Sequence, residues 1–283
     1  MIIHSNISPL PFYTSLEQQH HRRSYTYGQV LPVIFEKGKI LPFQFVVDTE
    51  IEPFNSDFNS DFVKGPTLGI LGAQVVSLTG GSANVTSAML YRDQLTAHRI
   101  TDSGSLILVR YTGEPSVTLP EGPCYLVLSI DGIGAIYSDV FMTCDDVSEH
   151  LKLEYRNSYN LAMSGGYIDF SDNFTFKCYI DAELGKPEYS FEEEATARMG
   201  YTFIESQVSK KIHRFTFPGT EETCDALRIV RLCNQKKIES KHKTYAPITF
   251  SMSANWDDQG DIAAIDCEFE IDNIIQNIGN IKT

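Results

Sequence analysis

The chain has 283 residues, 42% of them hydrophobic, with 37 acidic against 23 basic side chains and a formal net charge of −14. That much apolar material excludes a disordered chain, and the length fits two domains. An acidic surface repels phosphate backbones and anionic lipid, so neither nucleic acid nor a membrane is expected as a partner.

In chain order, residues 1–28 carry Pro9, Pro11, His20, His21, Arg22 and Arg23 without any periodic pattern. They read as an extended N-terminal arm of the kind that lies on a neighbour. Strand signals begin at Val30, with "QVLPVIF" and "ILPFQFVVD" around a turn at Gly38. The segment "IEPFNSDFNSDFVKGP" is loop-like, and "LGILGAQVVSLTGG" is a strand ending in a tight Gly80-Gly81 turn. "SAMLYR", "LTAHRIT", "SLILVRYTG", "CYLVLSIDG" and "GAIYSDVFMTC" follow as short strands. Such spacing predicts a β-sandwich-like domain over 29–146, with a boundary in the polar stretch Asp145 to His150.

The second domain, 147–283, restarts the strand pattern. Leu151, Leu153 and Tyr155 alternate with polar residues, as do Phe174, Phe176 and Cys178. "YTFIESQVSKKIHRFTF" reads as two strands around a polar turn. One α-helix is predicted over about 220–237. Thr220 is its N-cap, Glu221 and Glu222 occupy the first turn, Leu227, Val230 and Cys233 line one face, and Lys236 and Lys237 close the last turn. "APITFSMSANW" and "IAAIDCEFEID" return to strands around the acidic turn "DDQGD". The fold class expected is therefore mainly β: two β-sandwich-like domains, the second with one packed helix, plus the N-terminal arm.

No constellation for chemistry emerges. "GILGAQ" and "SGGY" lack the lysine-serine ending of a phosphate loop and the spacing of a dinucleotide fold. Cys124, Cys144, Cys178, Cys224, Cys233 and Cys267 form no CxxC pair and read as buried, reduced thiols. His4, His20, His21, His98, His150, His213 and His242 make no metal-ligand spacing. Asp257, Asp258 and Asp261 lack the loop spacing of a calcium site and read as a solvated turn. Glu192, Glu193 and Glu194 read as a solvated loop or as partners of Arg198 rather than as a glycosidase pair. No GxSxG elbow is present. No catalytic, cofactor-binding or metal residue is assigned, no cofactor is expected, and the chain is read as non-enzymatic. No signal peptide is expected from the N-terminal residues, and no apolar run approaches the ~20 residues of a membrane span.

The runs "ELGKPEY" (Glu183 to Tyr189), "EEEATARMGY" (Glu192 to Tyr201), "CDALRIVRL" (Cys224 to Leu232) and "QGDIAAIDCEFEID" (Gln259 to Asp272) carry a resemblance. So does "YLVLSIDGIGAIYSDVF" (Tyr125 to Phe141) upstream. Together they resemble structural proteins of tailed phages and prophages of gut Bacteroidetes, including crAss-like phages. The resemblance implies a virion component of the neck, tail or baseplate, such as a ring or tail hub, made in the host bacterial cytoplasm. Its partners would be copies of itself in a symmetric homo-oligomer and other virion proteins. The alternative is a carbohydrate- or receptor-binding, adhesin-like sandwich that displays exposed aromatics to a host glycan, with Tyr155, Tyr159, Tyr167 and Tyr189 as candidates.

Overall fold

A computed structural model describes residues 2–4, 8–16, 33–49, 67–100, 106–113, 116–120, 122–163, 166–198, 201–241, 243–256 and 262–277. The chain is mainly β. The apolar material divides into two cores, one drawn from residues 10–141 and the other from residues 151–271.

The first core lies between two sheets. One holds β1 (Ile2–His4), β4 (Phe43–Asp48), β8 (Leu106–Tyr111) and β7 (Leu95–Arg99), in the order β1-β4-β8-β7. Facing it are β2 (Phe12–Tyr13), β3 (Val33–Glu36), β5 (Ile70–Ser77), β6 (Ser82–Asn84), β9 (Pro123–Ile130), β10 (Gly134–Ser138) and β11 (Phe141–Cys144). Strict alternation aims Phe43, Phe45 and Val47 of β4 and Ile107, Val109 and Tyr111 of β8 into this core. Gly80 and Gly81, at φ +111° and +96°, turn β5 into β6 in a backbone region that disfavours side chains.

The second core lies between another part of the same large sheet and a separate four-stranded sheet. The large sheet contributes β12 (Leu151–Arg156), β15 (Phe176–Ile180), β18 (Gln235–Ser240) and β19 (Lys243–Tyr245). The other is ordered β16-β17-β21-β20, from β16 (Glu188–Arg198), β17 (Tyr201–Gly219), β20 (Thr249–Trp256) and β21 (Ala263–Asn277). A short helix, α1 (Thr86–Met89), belongs to the first half, and α2 (Glu221–Val230) packs against β20 in the second.

The halves share more than a linker. β3 pairs in parallel with β11 and touches β15 through Tyr179 and Ile34, so one eleven-stranded sheet runs through both. A hairpin of the second half, β13 (Leu161–Met163) and β14 (Gly166–Ile168), reaches back over the outer face of β4 and β8. There Tyr167 joins Val46, Ile100, Leu106 and Leu108 in a third apolar cluster, while the next residue, Ile168, enters the second core. This explains why every residue of β4 and β8 is buried: both of their faces are covered.

Beside Tyr167 the covering is polar. The Arg110 guanidinium donates to Asp169 Oδ2 at 2.5 Å, Ser171 Oγ at 2.8 Å and Asp172 Oδ2 at 2.9 Å. The Gln44 amide donates to the Asp169 carbonyl at 3.2 Å and accepts the Asp169 N–H at 2.9 Å. Arg110, Gln44 and Asp169 are all buried, so each charge survives only through its partner. A second link runs from the Tyr13 hydroxyl, 3.5 Å from both Asp139 Oδ2 and Glu222 Oε1 of α2. Burial, reinforced by the two carboxylates, pushes the Tyr13 hydroxyl pKa far up, so it stays protonated as a donor.

Four local expectations are corrected. Within the first 28 residues, the described parts are built into the body: β1 is an edge of the first sheet, β2 pairs with β10, and Leu10 and Phe12 are 1% exposed. Phe12 stacks on Phe45 at 4.4 Å, and that burial outweighs the lack of periodic pattern; residues 17–32 lie outside the described residues. "SAMLYR" holds helix α1 rather than a strand. The Thr86 N–H donates to Asn84 Oδ1 at 3.0 Å, Thr86 Oγ1 accepts the Ala73 N–H at 2.8 Å, and Met89 plugs the core.

"YTFIESQVSKKIHRFTF" lies within one strand of 19 residues, because β16 and β21 supply ladder partners along both sides of its polar middle. Helix α2 ends at Val230. Asn234 then clamps the chain, accepting the Ser158 N–H at 3.1 Å and donating to Ser158 Oγ at 2.8 Å. Lys236 and Lys237 accordingly sit in β18, opposite Tyr155 and Glu154. The loop "IEPFNSDFNSDFVKGP" and the turn "DDQGD" lie outside the described residues.

Candidate interaction surface

The four-stranded sheet is longer than the core it covers. β17 has 19 residues and β21 has 15, against about 5–6 for an ordinary strand. At about 3.3 Å per residue β17 runs roughly 60 Å. Phe215 and Phe217 of β17 and Ile265, Cys267, Phe269 and Ile271 of β21 lie in the second core. Beyond Ile271 the register continues, with β17 flanked by β16 and the end of β21 as far as Ser206↔Asn277. The result is a three-stranded ribbon that overhangs the sandwich.

Opposite residues of an antiparallel pair share a face. Tyr189 is opposite Lys211, which is opposite Ile271, so Tyr189 lies on the face that is buried further along the sheet. Phe191 follows two residues later on the same face. Here that face is open: Tyr189 is 63% and Phe191 73% exposed. Exposed aromatics on the continuation of a core face mark it for contact.

The ribbon is held by charge as well as by its ladder. Lys210 pairs with Glu192 at 2.5 Å, Gln207 donates to Glu193 at 2.6 Å, and Arg214 bridges Glu188 at 2.5 Å and Glu268 at 2.7 Å. The three consecutive glutamates thus lie on strand β16, not in a loop. Glu192 and Glu193 have partners on β17, and the Arg198 side chain is outside the described residues. Below Arg214 the outer face forms a depression of about 380 Å³ lined by Thr216, Ser251, Ser253, Asp266 and Glu268. Thr216 donates to Asp266 at 2.7 Å and Asn255 donates to it at 2.9 Å.

Two of the four candidate tyrosines are not available to a glycan. Tyr155 is 1% exposed and donates to the Ala226 carbonyl, and Tyr167 is buried in the third apolar cluster. Tyr159 and Tyr189 are exposed, but they stand on different elements, a loop after β12 and the edge strand β16.

The cysteines are all unpaired. Burial pushes Cys178 and Cys233 up to about 12 and raises Cys124, Cys144, Cys224 and Cys267 as well, which suppresses the reactive thiolate. His213 is buried, stacked at 5.3 Å on Phe269, and its Nδ1 donates to the Gly185 carbonyl at 3.3 Å. Burial lowers its pKa, with Lys211 and Lys243 adding to the effect. His98 Nδ1 is 3.2 Å from Thr67 Oγ1. Among the described residues no three His, Cys, Asp or Glu side chains gather as a metal site, and no helix is long and apolar enough to cross a membrane.

The overhang was not visible in the sequence. Its only signal was the unusual length of "YTFIESQVSKKIHRFTF" without glycine or proline, which argues against a turn. Compared with models of known protein families and with curated proteins, the chain matches none.

Proposed function

We propose that the chain is a structural component of a tailed-phage virion, of the neck, tail or baseplate, and that it works by burying surface against copies of itself and neighbouring virion proteins. The observation that supports this reading most is the overhanging ribbon. A sheet that carries its core-side face past its own core, with Tyr189 and Phe191 open to solvent, is suited to covering or being covered by another subunit. The resemblance of Glu183 to Tyr201 to phage structural proteins falls on this ribbon. The virion site, the oligomer and the absence of catalysis all belong to this proposal.

The test removes the ribbon and leaves the sandwich. Residues 189–211 are replaced by a two-residue turn joining Glu188 to Ile212, which removes Tyr189 and Phe191, and light scattering compares this protein with the full chain. A defined oligomer that falls apart on removal of the ribbon, with far-UV circular dichroism still showing strand, is the expected result. Full chain that stays monomeric, alone and with the other proteins of its particle, removes the reading.

A further inference from the structure

The same sheet ends on its other side at β20, and this edge differs from the other sheet edges among the described residues. Among the described residues β20 pairs only with β21, which leaves a row of backbone N–H and C=O groups facing outward. An open edge of this kind is a template for another strand, and proteins usually blunt it with charge, proline or brevity. β20 has none of these devices: its sequence Thr249–Trp256, TFSMSANW, is eight residues without a charge or a proline. β16, the opposite edge, carries Glu188, Glu192, Glu193 and Glu194. β1, β6, β13, β14 and β19 are three residues each, β2 is two, and β7 carries Arg99 and is bridged by Thr67 at His98. In a chain of net charge −14, two copies meet most easily where neither carries charge.

The side chains at the two ends of β20 point to the occupant. Ile248, just before the strand, is 54% exposed, and Trp256, at its end, is 47% exposed. An antiparallel pairing about a two-fold axis at Met252 sets Ile248 opposite the second copy's Trp256, and Trp256 opposite the second copy's Ile248. Ser251 then lies opposite the second copy's Ser253 on the solvent face, where neither hinders the approach. Both exposed hydrophobes are therefore covered at once by one self-complementary contact, which is the arrangement an isologous two-fold interface requires.

We infer that β20 is a homodimer edge, pairing antiparallel with β20 of a second copy to continue the four-stranded sheet into one of eight strands. The inference rests on the self-assembly reading above and names one interface within it.

Sedimentation velocity of the full chain tests it, with two variants. Ser251→Lys combined with Ser253→Lys sets lysine against lysine across the two-fold; it is expected to weaken the dimer roughly 100-fold or more. Trp256→Ser removes one exposed hydrophobe without touching the ladder; about a tenfold weakening is expected. Combined Ser251→Thr and Ser253→Thr, neutral and strand-forming, should leave the dimer intact. An oligomer indifferent to both the lysine and the Trp256 substitutions overturns the β20 edge and leaves self-assembly standing. A full chain that stays monomeric at its highest soluble concentration overturns both.

Discussion

Within the four-stranded sheet, the same two strands pass from one environment to another. At one end β17 and β21 place Phe215, Phe217 and Phe269 in the second core, against β12, β15 and helix α2. At the other end the same face continues across β17 onto β16, where Tyr189 and Phe191 are open to solvent. The alternation decides which residues share a face. Whether that face is a core or a contact surface is decided by how far the opposing layer reaches. An apolar side chain therefore contributes stability at one end and availability for binding at the other.

Substitutions should separate the two ends. Phe269→Ala, inside the core, is expected to cost about 3–5 kcal/mol in urea unfolding because the neighbours cannot close the cavity. A comparable loss, about 3–5 kcal/mol, is expected for Arg110→Ala, which strands the buried Asp169 carboxylate between the halves. Adding Asp169→Ala to it should cost less than the sum of the two single changes, and a double-mutant cycle measures the difference. If Arg110→Ala unfolds one half before the other, the shared sheet does not make the halves one cooperative unit.

A smaller effect concerns pH. Burial holds His213 neutral in the folded chain at pH values where the unfolded chain, with a pKa near 6.5, takes up a proton. Stability should therefore decline as pH falls below about 6.5, by up to about 1.4 kcal/mol per pH unit until the folded-state pKa is reached. In His213→Phe, which keeps the stack on Phe269, that slope should flatten down to the pH where carboxylates begin to titrate. The smallest effect sharpens the comparison most. Phe191→Ala, on the overhang, should leave the unfolding midpoint of the isolated chain within about 0.5 kcal/mol of the parent, and weaken only assembly. A large loss of stability would mean that the overhang is covered within the chain itself.

Much of the fold was legible along the chain. The alternation of Leu151, Leu153 and Tyr155 with polar residues marked β12, and the acidic first turn of Glu221 and Glu222 marked the start of α2. The helix end was not legible. Lys236 and Lys237 suit a last helical turn, but β12 offers them a ladder, and Asn234 turns the chain to reach it. "SAMLYR" reads as strand by composition, but its first residues belong to α1, which the hydrogen bonds of Thr86 with Ala73 anchor to β5. The candidate surface was the least legible part. Of the four tyrosines singled out, Tyr155 and Tyr167 are buried and Tyr159 and Tyr189 exposed, a difference set by what packs on each of them.

What the sequence determined by itself was local: the β class, the period that sorts each strand into two faces, the glycine turns and the acidic surface. Those follow from steric preference and from side-chain polarity, which act within a few residues. Tertiary structure alone decided which faces are covered. The β13–β14 hairpin returns to bury the second face of β4 and β8, Arg110 finds Asp169 59 residues away, and β17 outruns its core. Burial is a property of two surfaces brought together, and no segment carries the information about the second surface in its own residues.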